Sequence, residues 1–522
     1  MIYIEKLKLF NFKRFEKFEY IAREKRNILI GDNEAGKSSV LQAIDLVLTG
    51  NRSKAENLGL EPLFNRNAVT SFLKGDKNLG NLPRLTIEIY LNDHGNINLD
   101  GKNNSDDTVC HGLKMVCEPR IEEYGVEIEE ALSQEDALFP YEYYGITFST
   151  FSGQSYTQNR KFLRHLLLDS SLIGTEYATR IYTKSLFEAN TDFAQRHKAS
   201  HAYRRSKSGF TESSLEEINK KLLGVEFGIK SDSKSNLEQD LVITESGIPI
   251  SQRGKGSQCF VKTDFALQQK AGSNPIDLIL IEEPENHLSH LNMKRLINRI
   301  EKATQTQIVI ATHSDNVCSR LDLHNASLLS ASSNTPVSLS NLPDDTANYF
   351  IKAPNNKILE FILSERVVLV EGDAEYILME GMYKNIFGDE PENSNIHIIS
   401  VGGTSFKRYL DLAILLEKKT AVIRDNDGNY QENCIANYKS YVNNHIQVFY
   451  DKNNDRNTLE VCLFRDNEDL CERLFSPGRR ALTALEYMLS NKSDSALKIL
   501  KEGLSDIEIP EYISQALAWI KE

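Results

Sequence analysis

The sequence predicts an α/β protein built from two strand-and-helix blocks, the first interrupted by a helical segment. Three observations carry the prediction. A Gly-punctuated loop at residues 31–39 lies between a short apolar strand, Asn27-Ile28-Leu29-Ile30, and apolar residues at helical spacing, Val40, Leu41, Ile44 and Leu48. An apolar run at 277–281 ends in the acids Glu282 and Glu283 and is followed by a helical pattern and a further strand at 307–311. From about Ser364 a second alternating block begins, with acids directly after its apolar runs.

Composition sets the outer limits. A chain of 522 residues makes roughly three domain-sized units. Hydrophobic content of 40% with 26% charged residues is a globular balance. No apolar run reaches the length of a membrane span, and the N-terminal MIYIEKLKLFNFKRF alternates charge with apolar residues instead of forming a signal core. Seven cysteines without framework spacing fit reduced thiols, and so a cytoplasmic protein. Cys110, His111 and Cys117 lack paired spacing, which argues against zinc. The net charge of −13 opposes general nucleic-acid binding. The local exceptions are Arg196-His197-Lys198 with Arg204-Arg205-Ser206-Lys207, and Arg479-Arg480.

Taken in order, the first element is the loop. Gly31, Gly36, Lys37 and Ser38 give G-x-x-x-x-G-K-[ST] between a strand and a helix. Glycine lets backbone N–H groups turn inward around phosphates, Lys37 brings charge to the outer ones, and the Ser38 hydroxyl completes a magnesium shell. Asn33, Gly36, Lys37, Ser38 and Ser39 are the expected nucleotide contacts. An Asn-rich stretch at 92–107 reads as an exposed hairpin or loop. From about 155 to 235 the pattern turns helical, as in Phe162-Leu163 with Leu166-Leu167-Leu168, and in Leu215, Ile218 and Leu222. A helical stretch between two halves of a nucleotide site is expected to be an insertion serving as a dimer arm.

The second half of that site follows. Ser251, Gly254 and Gly256 mark a polar turn before a predicted helix, where anions bind. Glu282 is expected at the magnesium and Glu283 beside the terminal phosphate, able to orient and deprotonate water. Leu288, Leu291, Leu296, Ile297 and Ile300 describe one helical face, and His313 ends the next strand at the γ-phosphate position. Taken together, these elements resemble the phosphate loop, signature, acid pair and switch histidine of ABC-type ATPases related to RecF and SMC proteins. The resemblance implies that the signature turn of one subunit closes the site of another, so that two chains make a working site. The first acid here is Glu282 where most such ATPases have Asp, and the signature reads S-Q-R-G-K-G in place of L-S-G-G-Q.

In the last block, Arg366-Val367-Val368-Leu369-Val370 runs into Glu371-Gly372-Asp373-Ala374-Glu375, and Thr420-Ala421-Val422-Ile423 ends at Asp425-Asn426-Asp427, with a strand at 396–399 between them. Acids at the ends of successive parallel strands converge, and such a cluster calls for a divalent ion with hard oxygen ligands. An EF-hand register fails, because Gly428 is fourth from Asp425 and not sixth. The arrangement E-G-x-x-E followed by D-x-D resembles the TOPRIM domain, and the whole order resembles the OLD (overcoming lysogenization defect) family of nucleases. That resemblance implies two further site residues, Glu460 as an acid and Lys492 as a cation at a helix start. It makes Glu371, Glu375, Asp425, Asp427 and Glu460 holders of Mg2+ or Mn2+, and it makes Glu371, Asp425, Asp427 and Lys492 catalytic.

The expected layout is an ATPase domain in two parts, 1–154 and 236–355, a helical insertion at 155–235, and a TOPRIM nuclease domain at 360–522. The Asn-, Asp- and Pro-rich stretch at 344–357 reads as a linker. The resemblance further implies an ATP-regulated DNA endonuclease, a homodimer or larger oligomer, and service in antiphage defence, Gabija-like or retron-associated, with a helicase-like or retron partner. The rivals are an SMC- or RecF-like DNA clamp without nuclease activity and an RNA-cleaving toxin. A topoisomerase or primase lacks room for its further domains.

Overall fold

The computed structural model describes residues 1–134, 136–169, 180, 183–184, 186–187, 191–230, 236–254, 256–258, 260–261, 276–286, 288–302, 305–331, 333–353, 357–403, 405–476 and 482–522. The chain divides into two compact units. One comprises Met1–His313 with Leu329–Pro336, the other Ser314–Leu328 with Val337–Glu522.

The first unit opens with the antiparallel pair β1 (Ile4–Phe12) and β2 (Phe15–Ile21), then β3 (Arg26–Gly31) and helix α1 (Lys37–Thr49). With β4 (Leu85–Leu91), β5 (Cys110–Pro119) and β6 (Tyr144–Thr150) the first pair forms an antiparallel sheet in the order β2-β1-β4-β5-β6. A second sheet is parallel, β3 lying beside β9 (Gln307–Ala311), β9 beside β8 (Leu278–Glu282) and β8 beside β7 (His165–Asp169). Helix α1 packs against strands of both sheets, which is why it buries Val40, Leu41, Ala43, Ile44, Leu46, Val47 and Leu48 around most of its circumference. A single apolar stripe would not suffice for a helix between two layers. Its buried Asp45 accepts from His165 Nε2 at 2.9 Å and Lys54 Nζ at 2.5 Å. Burial alone would raise the Asp45 pKa, but the His165 and Lys54 contacts outweigh it and hold the carboxyl at about 2.

Between β7 and β8 lie the 22-residue helix α2 (Phe193–Ser214) and the short α3 (Leu237–Asp240); α4 (His290–Lys302) links β8 to β9. Three expectations change here. The run Phe162–Leu168, expected to be helical, contains strand β7, whose Leu166, Leu167 and Leu168 pair with Ile279, Leu280 and Ile281. Consecutive leucines fit a short parallel strand as well as a helix, and length decides between them. The helical spacing at 215–222 yields only Glu216–Asn219. On α4 the buried face is Met293, Leu296, Ile297 and Ile300; Leu288 precedes the helix and Leu291 is exposed. Part of the insertion expected at 155–235, namely 170–179, 181–182, 185, 188–190 and 231–235, falls outside the described residues, as do Lys255 and Cys259 of the signature turn.

The second unit begins with α5 (Asp315–Arg320), α6 (Asp344–Lys352) and α7 (Ile358–Leu363). Helix α6 replaces the expected linker at 344–352. Pro343 sets its start, Asp344 and Asp345 complement the helix dipole, and Thr346, Ala347 and Phe350 are buried. Next come β10 (Arg366–Val370), α8 (Asp373–Phe387), β11 (Ile396–Ser400), α9 (Phe406–Leu415), β12 (Lys419–Ile423) and β13 (Ile446–Phe449), then α10 (Leu459–Asp466), α11 (Lys492–Glu502) and α12 (Glu511–Lys521). The four strands form a parallel sheet in the order β11-β10-β12-β13. The chain leaves β10 first to one side and then to the other. The crevice at the carboxyl ends of β10 and β12 is therefore the topological switch point of the sheet.

Candidate functional site

The loop after β3 and the ends of β8 and β9 enclose a cavity of about 360 Å³, lined by Asn33, Gly36, Lys37, Ser38 and Ser39 and by Glu283 and His313. Two glycines fix the loop. A Cβ on Gly31 would meet the Leu329 carbonyl oxygen at 2.3 Å, and one on Gly36, at φ 94°, would meet Phe15 Cζ at 2.4 Å. Buried Lys37 donates to the carbonyls of Gly31 at 2.7 Å and Asp32 at 2.9 Å. Burial lowers its pKa to about 8, against the opposing pull of Glu283, Asp32, Glu285 and Glu282.

Glu283 has a left-handed backbone, φ 45°, and its N–H donates to Ala311 of β9 at 2.8 Å. Its carboxylate accepts from Asn286 Nδ2 at 2.5 Å and lies 3.7 Å from His313 Nε2. Burial first, and then Lys37, push His313 below its ordinary pKa, which favours the neutral ring. Glu282 belongs to β8 and acts electrostatically on Lys37 and Lys13, but it does not line the cavity. Ser251, Gly254 and Gly256 do not line it either.

Three residues here escaped the sequence reading. Lys13 and Arg14 line the cavity from the β1–β2 turn. Arg14 donates to the carbonyls of Glu34 at 3.0 Å and Ala331 at 2.8 Å. The available signal was the run Asn11-Phe12-Lys13-Arg14-Phe15, with its two cations at a turn. Glu285 accepts from the Thr312 hydroxyl at 2.9 Å and from the His313 N–H at 2.5 Å, fixing the backbone that carries the histidine.

At the switch point of the second unit, Glu371 follows β10, Glu375 lies in the first turn of α8, and Asp425 and Asp427 follow β12. Glu460 is in the first turn of α10 and Lys492 begins α11. The Glu375 carboxylate accepts from the Gly372 N–H at 3.1 Å, reaching back to satisfy the N-cap amide of α8. Glu460 is 3% exposed, and Lys492 Nζ lies 3.0 Å from its Oε2. That contact is electrostatic, since neither Glu460 oxygen accepts a well-aligned hydrogen bond.

The groups sense one another's charge. Burial, then Glu375 and Glu460, push Asp425 up to about 8, against Lys492. Burial is also the main reason why Glu371 and Glu375 lie above the usual carboxylate range. Burial would lower Lys492, but Glu460, Asp425 and Glu375 outweigh it and raise the ammonium. Asp427 is half exposed and stands at φ 48°.

The sequence reading missed two residues between these acids. Arg424, 6% exposed, lies over the adjoining rings of Phe406 and Tyr438, each 5.8 Å away. It donates to Asp427 at 3.2 Å and lies 3.9 Å from Glu371, while its Nε and Nη1 have no hydrogen-bond partner. Asn426, 1% exposed, donates from Nδ2 to the carbonyls of Asp451, Asn453 and Arg456, and accepts from the Gly428 N–H at 2.8 Å. It locks the loop that bears both aspartates.

Among the described residues, no three His, Cys, Asp or Glu side chains stand close enough together to hold a metal ion without movement. The donor set nevertheless fits a hard divalent cation. It is all carboxylate oxygen, and Glu371 Oε2 and both Glu460 oxygens are buried without hydrogen bonds.

Comparison with known proteins finds matches in both units of the chain. Residues 362–427 match a family model described as "Overcoming lysogenization defect protein-like, TOPRIM domain". Residues 2–208 match an AAA ATPase domain, and 185–319 match a further AAA-domain model. No curated protein sequence matches the chain. Among solved structures, the SMC head domain from Thermotoga maritima aligns at 15% identity and TM-score 0.30, covering 64% of this chain and 97% of its own. The C-terminal region of the Xanthomonas campestris pv. campestris OLD protein aligns at 23% identity and TM-score 0.23, covering 30% and 94%. The corresponding region from Burkholderia pseudomallei aligns at 16% and 0.27, covering 30% and 98%. The chain thus joins a P-loop ATPase domain to a C-terminal OLD-like TOPRIM domain. Among the described residues no helix is long and apolar enough to cross a membrane.

Proposed function

We propose that this chain is an ATP-regulated, divalent-metal-dependent endonuclease acting on DNA phosphodiester bonds. One observation carries the reading: four acids from separate elements, Glu371, Glu375, Asp425 and Glu460, share one electrostatic environment with Lys492 at the switch point of a parallel sheet. Burying so many carboxylates costs free energy that a structural role does not require.

Glu371, Asp425 and Glu460 would hold the cation, with Glu375 and Asp427 at its margin. The cation, when bound, supplies Lewis acidity and a water acidified for attack on phosphorus. Arg424 positions Glu371 and Asp427. The Lys492 ammonium, ion-paired to Glu460 and half exposed, is available to the charge that develops on the phosphate oxygens. In the first unit, Lys37, Ser38 and the loop amides would bind the nucleotide phosphates, Glu283 would orient the attacking water and His313 would read the terminal phosphate; Glu282, which does not line the cavity, would act on the nucleotide's magnesium through its charge. A dimer in which Ser251, Gly254 and Gly256 close the partner's cavity accounts for their not lining their own. Antiphage defence is the setting we assign, on the strength of the OLD-like match at 362–427.

One observation favours a second reading. Because no three ligating side chains are already gathered among the described residues, an ATP-driven DNA clamp that never cuts is the rival. Purified protein with Mn2+ or Mg2+ should convert supercoiled plasmid to nicked or linear forms. Asp425→Ala should reduce this to background while nucleotide affinity is kept. Cutting that survives Asp425→Ala refutes the metal assignment; binding without cutting favours the clamp, and cutting confined to RNA favours a toxin.

A further inference from the structure

Helix α2 has an unusual makeup for a helix in this chain. It spans about 33 Å, and none of its residues is fully buried. It carries Arg196, Lys198, Arg204, Arg205 and Lys207 against a single acid, Glu212, in a protein of net charge −13.

The cations are not spread evenly. Projected at about 100° per residue, the half-buried residues Ala199, Tyr203, Lys207 and Thr211 form one stripe. That stripe faces the rest of the same unit. The Tyr203 hydroxyl donates to Asp240 of α3, Lys207 Nζ lies 3.6 Å from Asp240, and the Lys207 ammonium sits 4.7 Å from the Tyr203 ring. Lys207 is therefore used internally.

The opposite side holds His197, Lys198, His201, Arg204 and Arg205, all exposed, within an arc of roughly 120°. None of the five forms an ion pair among the described residues. Glu212, the one acid of the helix, accepts from the Ser208 hydroxyl at 3.1 Å. A helix whose outer face is cationic and unpaired complements a polyanion and repels the same face of another copy.

We propose that this face of α2, centred on Lys198, Arg204 and Arg205, is a docking surface for the phosphate backbone of duplex DNA. The inference deepens the nuclease reading and takes the choice of DNA from it. From Lys198 to Arg205 the helix rises about 10 Å, and over that length a duplex presents about six phosphate charges. Two arginines and a lysine can each meet one without crowding, and no base contact is implied. Contacts of this kind position the duplex without reading its sequence.

The test is fluorescence anisotropy of full-length protein on a labelled duplex of about 30 bp across a series of NaCl concentrations. Arg204→Glu/Arg205→Glu should weaken binding at least tenfold and reduce the slope of log Kd against log [NaCl] by about 2, since each phosphate contact contributes about 0.9. The control Lys294→Glu/Arg295→Glu, the same charge change on the exposed side of α4, should leave both unchanged. Thermal melting and light scattering show whether the variant is folded and keeps its oligomeric state. Unchanged affinity and slope overturn the proposal, as does loss of self-association in place of DNA binding, or a dependence on α2 seen for single-stranded RNA but not for the duplex. Failure of the nuclease reading looks different: wild-type protein then binds duplex through α2 but never cuts plasmid.

Discussion

The two candidate sites sit at the same place on two parallel sheets and are built on opposite plans. The nucleotide site is made largely of backbone: a loop held by Gly31 and Gly36, whose one essential cation, Lys37, is already satisfied by two carbonyls of that loop. The acid cluster is made of side chains from five elements, with a buried Glu371 oxygen that accepts no hydrogen bond and a buried Glu460 carboxylate that faces the Lys492 ammonium. A backbone site holds its shape through local conformation. A side-chain site depends on packing from residue 371 to residue 492, and it stores unfavourable electrostatics until a counter-ion arrives.

Perturbing each site in its own terms sharpens this contrast. The largest effect is expected at Lys37. Lys37→Ala should weaken ATP binding by about 10- to 100-fold, the loss expected for a charge-assisted hydrogen bond, with little change in melting temperature. Since its pKa lies at about 8, nucleotide binding near that pH should take up a proton, measurable by titration calorimetry in buffers of different ionisation enthalpy. Binding heats independent of buffer would break this half of the comparison.

Next in size is Asn426→Ala, which touches neither substrate nor cation but frees the loop carrying Asp425 and Asp427. Cleavage and Mn2+ affinity should both fall by about tenfold, the lower end of the loss for a residue that orients metal ligands. Loss of cleavage with unchanged Mn2+ affinity would show that Asn426 does not position the acids.

The smallest effect is a dependence of stability on pH. The Asp425 pKa is raised from 3.8 to about 8 in the folded chain. Below the lower value both states are protonated. As the pH climbs towards the upper value the unfolded chain releases its proton while the folded chain keeps it, so stability is lost across that window. Without metal, the melting temperature of the second unit should fall by several degrees between about pH 5 and pH 8. Asp425→Asn should flatten the slope, and a slope unchanged by that substitution would point to other groups.

How legible each site was in the sequence follows from the same contrast. The phosphate loop could be read at once because its chemistry is local, four residues at fixed spacing between a strand and a helix. The β10 and β12 acids could be read as fragments, since strand ends fix where they emerge. Arg424 and Asn426 could not, because an arginine and an asparagine beside acids ordinarily mean a solvated loop, and only the fold buries them under β13's following stretch and the rings of Phe406 and Tyr438. Strand β7 was misread as helix for a related reason: Leu166-Leu167-Leu168 has no period, and its pairing partner lies more than a hundred residues away at Ile279 to Ile281. The supposed linker at 344–352 was judged by its polar letters, whereas Phe350 and Ala347 are what anchor it.

The amide of Asn426 carries one more consequence, for how this gene can drift. Its nitrogen faces three carbonyl oxygens at 2.9, 2.9 and 3.2 Å. Aspartate has the same outline and flanks it on both sides, yet it would set acceptor against acceptor there. A single-nucleotide slip from D-N-D to D-D-D, conservative on paper, should therefore be among the least tolerated in the chain.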